Sequence, residues 1–500
     1  MKRACGVLMH VSSLPSDYGI GDFGDSAYAF VDWLVKQGQS YWQMLPLNHC
    51  GYGNSPYNPL SSFLGNGLLI SPLMLYRDGL LSVADLQAAR VPKQSHVDFE
   101  RTISFKEALL SKAAHKWLEN NSIDESILAS GTYQKQALCF ALLMGIYQHS
   151  RWYEWDKEHR KYSVELFEQL WKVSKEQLRI LAVIQKFFDE QYQLLMSYCH
   201  AKGIQIIGDI PLYVAYESSD IWANQEIFAL SAEGAKVMVS GVPPDAFSDE
   251  GQLWGNPVYK WEEMQKNAYD WFLHRIGWAL KHYDYLRLDH FIGYVNFWQV
   301  PSDCENAVHG EWVKALAEDF FGVLCERFGA QSFIAEDLGI LTEEVAHIRD
   351  SFGFPGMLVL HFCFDEKPLH STKFPQHKVL YTGTHDNNTS LGWWDEYMAN
   401  NPHAMSNYLQ SMELSDIAHE GNCLPSLIEF AYASTCDTVI IPLQDVLGLG
   451  SVARMNVPGV ALGNWEWMLS DLCVLEHPEV PLNELACRYL RIKSTSLNVL

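Results

Sequence analysis

Eight times along the chain a short apolar run breaks off into polar or glycine-containing sequence. The runs cover 5–9, 41–45, 204–207, 285–288, 332–335, 357–362, 378–381 and 438–441. Runs this short and this continuously apolar suit strands buried on both faces, as in a parallel sheet. Helical patterns lie between several of them. Before the third run, Ile184, Phe187, Phe188, Leu194, Leu195 and Tyr198 fall on one helix-like stripe, and Lys202-Gly203 supplies a stop. Eight strands alternating with helices predict an α/β fold, a (β/α)8 TIM barrel. The alternative is an open doubly wound sheet. It is weakened because no G-x-G-x-x-G opens a helix after any strand.

A plain barrel takes about 250 residues, and this chain has 500. It must therefore carry large insertions. We expect a single barrel unit over 1–500, with an insertion at 48–203 that includes a mainly helical subdomain between strands two and three. A second insertion at 212–283 would carry a turn-rich lid loop at 241–248. With 48% apolar and 19% charged residues, a sizeable core is assured and a disordered chain excluded. The balance of 36 basic against 60 acidic residues gives a net charge of −24. That argues against nucleic acid or an anionic membrane as partner. No apolar run approaches the ~20 residues that span a bilayer. Met1-Lys2-Arg3 with the apolar stretch 4–9 faintly resembles a signal peptide. His10 and Ser12-Ser13 interrupt it, no small-residue cleavage site follows, and a buried first strand is the better reading. The 11 cysteines are scattered, with no C-x-x-C pair, which suits reduced thiols in a cytoplasmic protein.

In such barrels the active site lies at the C-terminal ends of the strands. Asp289, Glu336 and Asp386 stand there, on three separate strands. One such carboxylate is ordinarily a helix N-cap or a solvated loop charge; Asp337 and Asp445 read that way. Three converging on one mouth point to catalysis. Glycosidic-bond chemistry uses such a set: one carboxylate attacks the anomeric carbon and another protonates the leaving oxygen, roughly 5–5.5 Å away in a retaining enzyme. A third binds sugar hydroxyls as the ring flattens. Arg287 lies two residues before Asp289, so both side chains point the same way on a strand. A guanidinium there would keep Asp289 ionised, as a nucleophile needs. A plain structural salt bridge is the alternative, and the two are compatible.

His290 and His385 each sit beside a strand-end carboxylate. No H-E-x-x-H is present, so hydrogen bonding to a polar ligand fits them better than metal ligation, and no metal is expected. Sugar rings pack their C–H faces on aromatic side chains. Tyr57, Trp254 and Trp465 stand among Gly, Pro and Asn in loops, where a ring is hard to bury except against a neighbour or a ligand.

The motifs together resemble the amylomaltases, the bacterial 4-α-glucanotransferases of the α-amylase-like clan. The resemblance runs from Ser13-Leu14-Pro15 and Gly19-Ile20-Gly21-Asp22 to Gly463-Asn464-Trp465. It takes in Ser55-Pro56-Tyr57, Gly208-Asp209-Ile210-Pro211, Trp254-Gly255-Asn256-Pro257, Arg287-Leu288-Asp289-His290-Phe291, Ala335-Glu336-Asp337-Leu338-Gly339 and Gly383-Thr384-His385-Asp386-Asn387. It implies transfer of α-1,4-glucan segments between malto-oligosaccharides by a retaining double displacement, with no cofactor. It also implies that Asp289 is the nucleophile, Glu336 the acid/base and Asp386 the transition-state stabiliser. Tyr57, Asp209, Asp245, Trp254, Asn256, Arg287, His385 and Asn456 would bind substrate. Four positions depart from the family pattern: Ile292 and Met468 replace arginines, His361 replaces Gln and Asn388 replaces Asp.

Three rivals share parts of this pattern. A glucan hydrolase would use the same triad and differ only in products. A silent glycan-binding protein is disfavoured by the intact carboxylates. A sugar-phosphate barrel would rest on Gly448-Leu449-Gly450, with Arg454 as the nearest downstream cation and no basic cluster.

Overall fold

The computed structural model describes residues 2–148, 150–244, 248–364, 368–401, 403–418 and 423–492. Twelve strands occur among them: β1 (Ala4–Leu8), β2 (Tyr41–Gln43), β3 (Gln205–Ile210), β4 (Met238–Val242), β5 (Gln252–Pro257), β6 (Tyr285–Leu288), β7 (Asn296–Pro301), β8 (Glu311–Lys314), β9 (Phe333–Ala335), β10 (Gly356–Val359), β11 (Lys378–Tyr381) and β12 (Thr438–Pro442). Eight of these close into an all-parallel barrel in the order β1-β2-β3-β6-β9-β10-β11-β12, with β12 pairing back onto β1. Each of the eight apolar runs contributes one barrel strand. The sixth run ends its strand early: Leu360–Phe362 is a 3-10 turn. Leu360 and His361 are still buried there, so the apolar run reports burial beyond the point where the ladder stops.

The segment between β2 and β3 carries the helices Phe99–Leu118, Thr132–Ile146, Val164–Val173 and Lys175–Ala201. Lys106, with no exposed surface, ties the first of these to the barrel. Its ammonium donates to the Leu68 and Ile70 carbonyls at 3.0 and 2.9 Å and pairs with Asp22 at 3.5 Å. Such a buried charge is tolerable only because it is hydrogen-bonded and paired. The segment 212–283 does not form its sheet alone. β4 and β5 join β7 and β8, from beyond the fourth barrel strand, in an antiparallel sheet of order β5-β4-β7-β8. No periodicity in the individual strands announced that long-range pairing.

Register places the chemistry. Asp209 on β3 lies directly beside Arg287 on β6, and Leu288 beside Ala335 on β9. The residues that follow these strands, Asp289 and Glu336, therefore emerge next to each other at one end of the barrel. Gly208 keeps β3 in that register. A Cβ there would lie 2.1 Å from the Tyr283 ring, whose hydroxyl accepts from the Leu47 amide at 3.0 Å. Gly208→Ala is expected to lower stability by about 1–3 kcal/mol, the cost of overpacking a filled core. Urea unfolding measures it; an unchanged midpoint would mean that the ring is free to move.

Candidate active site

The cleft at the C-terminal end of the barrel has a volume of about 390 Å³ and is lined by Tyr57, Trp254, Asp289, His385, Asp386, Asn456 and Trp465. Its floor is built on Arg287. The guanidinium is 4% exposed and donates through Nη1 to both oxygens of Asp209, at 2.9 and 2.8 Å, and to Asp289 Oδ1 at 2.8 Å. Asp209 is completely buried, its side chain at 0% exposure. It therefore lies behind the cleft and holds Arg287 and Tyr57 instead of lining the wall. Burial pushes its carboxyl up to about 6, against the pull of the Arg287 charge.

The Tyr57 hydroxyl donates to Asp209 at 2.8 Å and lies 3.4 Å from His385 Nδ1. The two rings stack at 4.8 Å with 14° between their planes. His385 Nε2 is 3.3 Å from Asp386 Oδ2, and the Asn456 amide donates to Asp386 Oδ1 at 2.7 Å. Burial alone would raise the Asp386 carboxyl, but His385 and Asn456 hold it well below the usual carboxylate range. Arg454, an anchor that its sequence context did not single out, donates to the Asp386 carbonyl at 2.8 Å and to the Asn456 carbonyl at 2.7 Å.

Glu336 occupies a different environment. Its Oε2 accepts from the His290 amide at 2.6 Å and its Oε1 from Leu338 at 3.3 Å. His290 adopts left-handed backbone (φ 49°), an unusual state for a residue with a side chain. Burial drives the Glu336 carboxyl up to about 8 despite the nearby Arg287 charge, with Asp289 adding to the rise. Trp254, 38% exposed, meets the His290 ring edge-on at 4.7 Å. Asn256 is not a lining residue: its amide donates to the Val214 carbonyl at 2.9 Å and fixes the neighbouring loop. Asp245 lies outside the described residues.

The two carboxylates read as caps turn out otherwise. Asp337 is buried and pairs with Arg349 at 2.5 Å and Lys378 at 2.6 Å, while accepting from the Met357 amide. Asp445 is buried and accepts from Ser390 and Thr382. Both link neighbouring barrel strands or loops from beneath. The four departures also lie off the cleft wall. Ile292 and Met468 are buried in apolar clusters. His361 stacks on Trp393 at 4.5 Å and shares a hydrogen bond with the Ser390 hydroxyl. Asn388 donates to Glu396 and Ser451.

The family model described as 4-alpha-glucanotransferase matches residues 9–473. The chain belongs to the 4-alpha-glucanotransferase family. It is 38% identical to the 4-alpha-glucanotransferase of Streptococcus pneumoniae over 507 aligned positions, which cover 100% of this chain and 99% of that one. It is 39% identical to the chloroplastic/amyloplastic 4-alpha-glucanotransferase of Solanum tuberosum, covering 94% of this chain and 82% of the other. The amylomaltase from Streptococcus agalactiae, solved in complex with acarbose, superposes with a TM-score of 0.90 at 32% identity, over 98% of this chain and 100% of that one. The protein is accordingly an enzyme of this transferring class, built on the (β/α)8 barrel. No helix among the described residues is long and apolar enough to cross a membrane.

Arg287→Met removes the one cation shared by Asp209 and Asp289. An unpaired buried carboxylate is expected to cost about 3–5 kcal/mol. Asp209, already raised to about 6, rises further in the variant. The deficit relative to wild type is then small at low pH, where the folded carboxyl is neutral in both enzymes, and grows as pH rises through about 6. Urea unfolding at pH 4.5 and pH 8 reads this; an equal deficit at both would contradict it.

Proposed function

We propose that the enzyme moves α-1,4-glucan segments from a donor malto-oligosaccharide to the 4-hydroxyl of an acceptor glucan or glucose, by a retaining double displacement. The observation that carries this reading is that three strand-end carboxylates, Asp289 and Asp386 on the cleft wall and Glu336 after the strand next to that of Asp289, stand in three different electrostatic settings. Asp289 is held by a guanidinium, Glu336 is pushed up to about 8, and Asp386 is held low. A pair of carboxylates driven apart in this way divides naturally into acid and anion.

In the first step Asp289 attacks the anomeric carbon while Glu336, protonated at neutral pH, gives its proton to the leaving oxygen. The released glucan leaves and a glycosyl-aspartate remains. In the second step Glu336, now ionised, takes the proton from the acceptor's 4-hydroxyl, which displaces Asp289. Two inversions retain the anomeric configuration. Asp386 accepts hydrogen bonds from sugar hydroxyls, which strengthen as the ring flattens. Tyr57 and Trp254 offer aromatic faces and edges to sugar C–H groups, and His385 and Asn456 keep Asp386 oriented. Asp245, in the lid segment, is assigned to substrate binding by motif alone. We also place the reaction in the cytoplasm, where 11 cysteines that form no disulfide are at home.

Maltotriose distinguishes transfer from hydrolysis. A ladder of longer glucans plus glucose, at constant total reducing ends, is the expected result; rising reducing ends with only short products would make the enzyme a hydrolase. Asp289→Asn should lose turnover by at least about 10⁴-fold, in line with loss of a nucleophile, while still binding maltotriose. Wild-type-like activity would remove Asp289 from the mechanism. The proton on Glu336 is needed for the first step, so kcat/KM should fall as pH rises through about 8. A profile flat to pH 10 would contradict the acid role.

A further inference from the structure

Beside His385, which also lines the cleft, lies a small chamber at the seam where the barrel closes. The end of β1, the loop after β11 and the segment after β12 all reach it. Its polar lining includes His10, Asn387, Gln444, Asp445 and Arg454, with His385 shared between the chamber and the cleft. His10 is 7% exposed, and its Nδ1 has no hydrogen-bond partner in the protein. Burial lowers the His10 pKa to about 3, so the ring is neutral and offers one donor and one acceptor. A buried polar atom of this kind is ordinarily satisfied by protein or by ordered water.

The chamber has a volume of about 30 Å³. One water needs roughly 10–15 Å³ measured in this way, together with two to four polar partners. The space therefore suits one or two waters and excludes a sugar ring. Its partners are unusually placed. Asn387 caps the loop that carries His385 and Asp386, accepting from the Thr384 amide and hydroxyl at 2.8 and 2.9 Å. Arg454 holds the Asp386 carbonyl. Gln444 reaches the Ala453 carbonyl at 3.3 Å, beside Arg454.

We propose that the chamber binds one or two ordered waters that bridge His10 to the loop bearing His385 and Asp386, making His10 a positioning residue for that pair. A water bridge is enthalpically close to a direct hydrogen bond, and it lets a residue at the end of β1 brace the loop that lines the same chamber. The bracing role rests on the function proposed above for Asp386; the hydration of the chamber does not.

Two measurements test it. A high-resolution crystal structure of the full chain should show water within hydrogen-bond distance of a His10 ring nitrogen; a dry chamber overturns the proposal. His10→Leu removes the polar anchor at similar volume. It should lower kcat on maltotriose on the order of tenfold with KM little changed, since small misplacements of reacting groups fall mainly on the chemical step. His10→Gln, which can still hold the water, should recover most of that loss. A His10→Leu enzyme at wild-type kcat, beside an inactive Asp386→Asn, overturns the bracing role. If His10→Leu does not fold, a His10→Gln enzyme whose chamber is hydrated yet whose kcat falls on the order of tenfold overturns it equally. An active Asp386→Asn would overturn the reading of Asp386 itself.

Discussion

A guanidinium buried inside the barrel organises everything above it. Arg287 could not remain charged there alone, because taking such a group out of water is costly unless it is paired. Asp209, fully buried on the adjacent strand, supplies the counter-charge at neutral pH, and Asp289 shares the same guanidinium nitrogen. That division gives one carboxylate a structural task and frees the other to face the cleft. The same charge restrains the rise of Glu336 without cancelling it. Through Tyr57, which donates to Asp209 and stacks on His385, the network also reaches Asp386. Three catalytic candidates on three strands are thus tied to one cation.

The barrel was legible because its strands are short, doubly buried and closed off by polar residues, a pattern that survives large insertions. The three carboxylates were legible for the same reason, since strand ends are countable along the chain. What could not be read was depth. Asp209 and Asp289 look alike in sequence, each acidic and near a strand end, yet only Asp289 faces the cleft; the difference lies in which neighbour packs over each. Asn256 sits in a motif that invites a ligand role, but its amide is occupied by Val214. Arg454 passed as an isolated cation because its partners are backbone carbonyls, which leave no mark in the side-chain sequence. The β5-β4-β7-β8 sheet was missed because pairing across more than forty residues leaves no local signature.

The four departures from the family pattern share a physical character. Ile292 and Met468 put apolar side chains into apolar surroundings, so nothing there demands the charge that arginine would bring. His361 shares a hydrogen bond with Ser390 and stacks on Trp393, while Asn388 donates to Glu396 and Ser451. Apart from His361 Nδ1, which is buried without a hydrogen-bond partner, each substitution is locally consistent. Their reach is therefore toward how firmly the surrounding loops are held, and not toward the carboxylates themselves.

Loop anchoring matters because, in the double displacement proposed above, transfer and hydrolysis begin from the same glycosyl-enzyme. Which follows depends on whether water or a sugar hydroxyl occupies the space beside Asp289. The walls that decide this are loops: the segment with Tyr57, the strand with Trp254 and the Pro458 to Ala461 turn that borders the cleft. Val460 is 52% exposed there, an apolar rim residue suited to a sugar's C–H face. That turn is held by Asn464, whose side chain accepts from the Val457 amide and donates to the Val460 carbonyl. Arg454 and Asn456, just before it, grip Asp386. The turn that borders the cleft is therefore continuous with the residues that grip Asp386, so loosening one is expected to loosen the other.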